Sequence, residues 1–156
     1  MIEDIFIRDL GVISEAKLNF HPGLTVLTGE TGAGKTMVLT ALGLLLGARA
    51  DSGMIRAGSP QAILEGNWKL SSGNPAIKKA EEAGALVEDG ELLLVRTVGN
   101  DSRSKAVIGG RSAPVGLLNE LAEHLVVVHG QSDQIRLKSP VAQRVALDRF
   151  AGSKHK

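Results

Sequence analysis

A chain of 156 residues, 43% apolar and 22% charged, is long enough for one domain with its own hydrophobic core and has ordinary globular composition. Lys and Arg number 18 against 17 Asp and Glu, a net charge of +1, so no overall basic field marks a nucleic-acid binder and any such contact must come from a local patch. The absence of cysteine excludes disulfides and thiolate zinc sites and fits a reducing compartment, and one Trp with no Tyr leaves little for base stacking.

The first ten residues lack a basic start followed by an apolar stretch, so they do not read as a signal peptide. The apolar run Ala41–Ala48 is far too short to span a bilayer. The chain therefore reads as soluble and cytoplasmic. Ile2–Arg8 and Val12–Phe20 alternate apolar and polar residues as half-buried strands do, with Gly11 as the turn between them. His21-Pro22-Gly23 breaks the chain. Leu24–Leu27 is continuously apolar and reads as a strand buried on both faces. A helix is expected from about Lys35 to Gly47, apolar nearly all round and hence buried.

Ala50–Pro60 is loop-like, and Gln61–Leu70 alternates again as a strand. A short helix is predicted over Ala76–Ala83, ending near Gly84. Glu91–Val98 and Ser104–Ile108 read as a hairpin joined through Gly99-Asn100-Asp101-Ser102. Pro114 suits the first turn of a helix running to about Glu123. Leu125–Val128 reads as another buried strand, and Pro140 opens a last helix, Val141–Phe150. The fold class is α/β, with antiparallel hairpins beside a strand–glycine loop–helix, hence a mixed sheet.

Residues 29–36 read Gly-Glu-Thr-Gly-Ala-Gly-Lys-Thr, a match to the P-loop pattern G-x-x-x-x-G-K-[ST]. Gly29, Gly32 and Gly34 free the backbone to turn so that its N–H groups, including those of Glu30, Thr31 and Ala33, converge on phosphate oxygens. The following helix aims its positive end at the same anion. Lys35 is the candidate for the β- and γ-phosphates of ATP, and Thr36 offers its hydroxyl to Mg²⁺. By chance, the four fixed positions coincide in roughly one chain of this length in a few hundred. The strand before the match and the helix after it make chance a weaker explanation here. Hydrolysis also requires an acidic residue ending a second buried strand. Leu117–Glu120 and Leu86–Glu88 are short and flanked by helix or turn signals, and Leu92–Val95 ends in Arg96. The chain holds half of an active site.

Leu10–Ile13, the run Phe20–Thr36, Ala48–Asp51, Ile55–Gly58 and Val128–Gln134 together resemble the RecN family of bacterial DNA-repair proteins. That family is related to the structural-maintenance-of-chromosomes (SMC) proteins, whose ABC-type ATPase heads are split across a long coiled coil. The resemblance covers about the first 150 residues. It implies the N-terminal lobe of a head over 1–150, with 151–156 a polar tail toward a coiled coil that this chain lacks. It also implies that Gln131 is the glutamine that ligates Mg²⁺ or positions the attacking water, an uncharged acceptor suited to both. Arg56 corresponds to an arginine placed near nucleotide or DNA, where a guanidinium fork suits phosphate. His129 reads as a structural histidine. The signature motif, the acidic Mg²⁺ motif with its catalytic Glu and the switch His are absent from this sequence. ATP would then join two heads on DNA in double-strand-break repair. Hydrolysis would need the chain's own C-terminal lobe and a second head, a homodimer, and this segment alone would be inactive. A half-head should also leave apolar surface uncovered where the other lobe docks.

Two other readings have weaker support. A self-contained small kinase or nucleotidase needs acceptor-substrate residues and usually an Arg-rich lid, and no compact one is seen. An interaction module could keep a P-loop only as structure. Arg96, Arg103, Lys105 and Arg111 lie on or near the predicted hairpin and are the candidate DNA patch, set against charges that merely solvate an exposed face. Lys78-Lys79 beside Glu81-Glu82 reads as a charge-balanced helix face.

Overall fold

The computed structural model describes residues 1–29, 33–101 and 103–127. Two compact units divide the chain, Met1–Val126 and Val127–Lys156, and all the elements below belong to the first. Six strands form one sheet: β1 (Ile2–Leu10), β2 (Ile13–Asn19), β3 (Gln61–Lys69), β4 (Glu91–Gly99), β5 (Ser104–Ile108) and β6 (Arg111–Ala113). The order is β2-β1-β3-β4-β5-β6, and every ladder among the described residues is antiparallel. Among the described residues, three α-helices accompany it, α1 (Ala33–Leu45), α2 (Pro75–Glu82) and α3 (Val115–Leu125), with a short 3-10 turn over Ser52–Met54.

Period-two alternation decides which side of the sheet is dry. Ile5 and Ile7 of β1, Leu64 and Trp68 of β3, Leu92 and Leu94 of β4, and Ala106 and Ile108 of β5 are all buried on one face. Each such side chain contributes roughly 1.5–3 kcal/mol when fully buried. α1 lies against β1, β3 and β4 on that face, and α3 against β5 and α2. Trp68 is fully buried with its indole Nε1 lacking a hydrogen-bond partner, a cost of about 1–3 kcal/mol that its packing must offset.

α2 begins one residue before the expected Ala76: Asn74 caps it, its Oδ1 accepting from the Ala76 N–H at 2.9 Å, with Pro75 at the first position. The Asn74 amide also donates to the His124 carbonyl at 3.2 Å, tying the start of α2 to the end of α3. Lys78 meets Glu82 at 3.9 Å along α2, and Lys79 reaches Glu120 of α3 at 3.6 Å, as a charge-balanced face requires.

Four expectations need correction. Leu24–Leu27 joins no ladder among the described residues, and Leu24, Val26 and Leu27 are 91%, 67% and 48% exposed, since no described strand lies alongside this run to cover it. Leu125–Val128 is not a strand: Leu118, Leu121 and Leu125 keep helical phase, so α3 continues through Leu125, while Val127 is exposed and Val128 lies outside the described residues. α1 is buried on one side only; Ala41, Leu44 and Leu45 are covered, whereas Leu39 is 63% exposed. Pro114 is the N-cap of α3 rather than part of its first turn. β6, only three residues long, carries too little periodicity to be foreseen. The predicted helix Val141–Phe150 lies outside the described residues.

The turn from α2 into β4 depends on Gly90, whose φ is +78° and where an added Cβ would lie 2.3 Å from the Leu70 carbonyl oxygen. Gly73 has a similar φ of +84° with nothing within 4 Å. Gly73→Ala is therefore expected to cost roughly 1–2 kcal/mol, the left-handed penalty alone. Gly90→Ala should cost distinctly more, since backbone must also move. Equal losses in urea unfolding would contradict the close approach of residues 70 and 90.

Candidate nucleotide-binding site

The glycine loop leads directly into α1. Of the eight motif residues, Gly29 and Gly34–Thr36 are described, Ala33 only in its helical backbone, and Glu30, Thr31 and Gly32 lie outside the described residues. The Lys35 ammonium folds back and donates to the Gly29 carbonyl, which bridges the two ends of the loop. Thr36 is exposed in the first turn, and its carbonyl accepts from the Thr40 hydroxyl at 3.0 Å, so its own side chain is not tied down by that bond.

Two features make this end of α1 receptive to an anion. No acidic residue sits in the first turn, so nothing there neutralises the positive end of the helix. Among the described residues, a Cβ added at Gly34 would meet nothing within 4 Å, and one at Gly29 only Lys35 Cδ at 3.9 Å. Packing among the described residues thus does not demand glycine at either position. These residues fit a nucleotide phosphate with its Mg²⁺.

Arg56 is held by the β1–β2 hairpin. Its Nη1 donates to the Val12 carbonyl at 2.9 Å, its backbone N–H to the Asp9 carbonyl at 2.8 Å, and Gly11 N–H donates to Met54 at 2.8 Å. The same hairpin turn touches α1, for a Cβ on Gly11 would lie 2.5 Å from Met37 Sδ. The fold therefore brings the Arg56 segment and the start of α1 to a common neighbour. Gln131 and His129 lie outside the described residues, so the Mg²⁺ pair Thr36–Gln131 is not assembled from described atoms.

The basic hairpin cluster does not form one patch. Arg96 is 2% exposed and belongs to the interior. Arg103 is paired with Asp101 at 3.3 Å. Lys105 stands opposite Thr97 on the outer sheet face, whereas Arg111 stands opposite Ile108, on the helix side. The strand register also places Arg8, Lys17 and Lys69 on the outer face beside Asp4, Glu15, Glu65 and Glu91, so that face is mixed in sign.

Arg96 instead reaches the far end of α1. Its Nη1 donates to the Leu44 carbonyl at 3.0 Å, its Nη2 to the Ala48 carbonyl at 3.2 Å, and its Nε to Ser104 Oγ at 2.6 Å. Burial lowers its pKa from the usual arginine value by desolvation. α1 ends in a Schellman motif: Ala48 N–H donates to Gly43 at 2.9 Å and Gly47 N–H to Leu44 at 3.1 Å, with Gly47 at φ +91°. Asn119 of α3, with its amide oxygen and nitrogen assigned so that both find partners, donates to the Leu46 and Gly47 carbonyls at 3.1 and 3.3 Å. The sequence carried a signal for Arg96, which lies in phase with Leu92, Leu94 and Val98 on the core face of β4.

The chain is 55% identical over 146 residues to the DNA repair protein RecN of Streptomyces coelicolor, covering 94% of this chain and 26% of that protein. It is 44% identical to RecN of Mycobacterium leprae, covering 98% and 27%, and 35% identical to RecN of Bacillus subtilis, also covering 98% and 27%. The chain thus spans about a quarter of the length of these relatives. In fold it is similar to an Smc head domain with an extended coiled coil from Pyrococcus furiosus, at TM-score 0.69 and 20% identity, covering 97% of this chain and 42% of that one. It is also similar to the recombination mediator RecF described with an ATP analogue, at TM-score 0.66 and 17% identity, covering 95% and 37%. A structure from work on ATP-driven dimerization and DNA-stimulated activation of SMC ATPases matches at TM-score 0.63 and 21% identity, covering 96% of this chain and 98% of that one. The fold is that of the N-terminal lobe of an SMC-like head. Similar to RecN over nearly its whole length, and matching the AAA domain model over residues 4–88, the chain belongs to the AAA domain family.

Proposed function

We propose that this chain is the ATP-binding lobe of a split, RecN-like ATPase head, with 1–150 the lobe and 151–156 a tail toward a coiled coil. The observation that carries this reading is the pairing of a receptive P-loop with apolar surface beside it. Leu24, Val26 and Leu27, which lead into the loop, and Leu39 on α1 are large, apolar and exposed. Such surface marks an interface. The chain's own C-terminal lobe is the occupant that the reading assigns to it.

In this mechanism the loop N–H groups and the start of α1 hold the phosphates of ATP, and Lys35 leaves the Gly29 carbonyl for the β- and γ-phosphate oxygens. Thr36 and Gln131 would hold Mg²⁺, which would supply charge neutralisation at the phosphates. Gln131 would serve either that metal or the attacking water, and Arg56 stands near nucleotide or DNA. Two heads engage across ATP as a homodimer, and hydrolysis, which needs the second lobe, releases them. DNA contact belongs to the complete protein, acting in double-strand-break repair in the cytoplasm at the nucleoid. The mixed signs of the described sheet face do not supply a DNA patch by themselves.

Calorimetric titration with Mg-ATP, with phosphate release assayed in the same samples, tests the reading. The parent should bind without turnover, and Lys35→Ala should bind roughly 10- to 100-fold more weakly, as the loss of one charge-assisted contact predicts. Adding the separately made C-terminal lobe should restore hydrolysis. Robust turnover by the chain alone would refute the split head and favour a self-contained enzyme.

The exposed leucines yield a second expectation. Alone, the chain should self-associate at micromolar concentration and bind an apolar dye, and Leu24→Lys with Leu39→Lys should reduce both. A clean monomer with low dye binding in sedimentation and fluorescence assays would remove the docking surface from the proposal.

A further inference from the structure

We infer that Arg96 is a positioning residue for nucleotide binding, fixing from behind the helix whose first turn carries Lys35 and Thr36. The inference rests on the nucleotide-binding reading and adds to it a residue far from the phosphate end.

Among the described residues, Arg96 is the one buried charged side chain, and no carboxylate lies within ion-pair distance of it. Its charge is answered by the negative end of α1, through the Leu44 and Ala48 carbonyls. The sheet does not need a cation there, since Leu92, Leu94 and Val98 complete the same face of β4 with apolar groups. An isolated buried guanidinium is costly unless hydrogen-bonded. What the charge adds over an apolar residue is a hold on one end of one helix.

The geometry of that hold is specific. The two terminal nitrogens of a planar fork engage the Leu44 carbonyl in the last turn of α1 and the Ala48 carbonyl of the turn that caps it, which opposes sliding of α1 and loosening of its C-terminal cap. Ser104 of β5 takes the third nitrogen, so the fork is itself anchored. Such a hold matters because α1 is packed on one side only, with Leu39 facing outward. Its 13 residues form a rod of about 20 Å, and a displacement at the rear is carried to the front. Lys35 and Thr36 ride on that front turn.

The test compares the full chain with Arg96→Met, Arg96→Lys and a control, Ala80→Gly. Ala80 is buried in α2, away from α1, and its substitution lowers stability without touching the brace. Melting temperature, Mg-ATP affinity and amide exchange at Met37–Thr40 are measured for each. Arg96→Met should bind about tenfold more weakly than the parent, Arg96→Lys should recover part of that, and Ala80→Gly should stay within about twofold. An Arg96→Met protein no weaker in binding than Ala80→Gly at a similar melting loss overturns the proposal, leaving Arg96 structural. Should Arg96→Met fail to fold, Arg96→Lys and Ser104→Ala carry the same comparison. If the parent shows no Lys35-dependent binding, the nucleotide reading itself fails, and amide exchange decides the brace. Faster exchange at 37–40 in Arg96→Met but not in Ala80→Gly supports it, and equal exchange overturns it.

Discussion

The seating of α1 on the sheet is the constraint on which the rest of the structure depends. Ala41, Leu44 and Leu45 form the buried stripe of this helix, and they rest on β1, β3 and β4. The approach is close because position 66 has no side chain. A Cβ there would stand 2.5 Å from the Trp68 ring and 3.1 Å from Leu45 Cδ1. The indole fills the space beside Gly66, and Leu45 packs over it. The largest side chain in the core and the smallest residue therefore work together to set the height of the P-loop helix above the strands.

The two ends of that helix have opposite electrostatic treatment. The front carries Lys35, an open Gly34 and no acidic residue, so its positive end is left for an incoming anion. The rear receives a buried cation and an amide from two different elements. A helix dipole whose negative end is satisfied internally and whose first turn carries no acidic residue favours an anion at its positive end. Preorganisation of this kind lets the loop bind phosphate with less rearrangement.

Much of this was legible in the chain, and the failures have a common cause. The β1–β2 pair, β3 and the β4–β5 hairpin follow from local alternation and turn residues, and α2 from a short helical run ending near Gly84, all of which act within a few residues. The P-loop was legible for the same reason, since its chemistry lies in eight consecutive positions. Leu24–Leu27, Leu125–Val128 and the outer face of α1 were misread because apolar sequence reports a tendency to be covered, not the identity of the cover. In the described residues nothing covers Leu24 or Leu39. Arg96 was misread in the opposite direction: residue type suggested surface, whereas strand phase, the better guide, put it inside.

The brace on α1 also orders events in time. Leu44 and Arg96 are 52 residues apart, and Ser104 follows 8 residues later still. Ribosomes deliver chain at roughly 5–20 residues per second. For several seconds, then, the nascent P-loop helix exists without its rear anchor and without the strand it packs beneath. Whatever engages the loop during synthesis meets a helix whose position is not yet set. The competent phosphate site is thus a product of the later hairpin, and a ribosome paused before Ser104 would carry the motif without the geometry that gives it meaning.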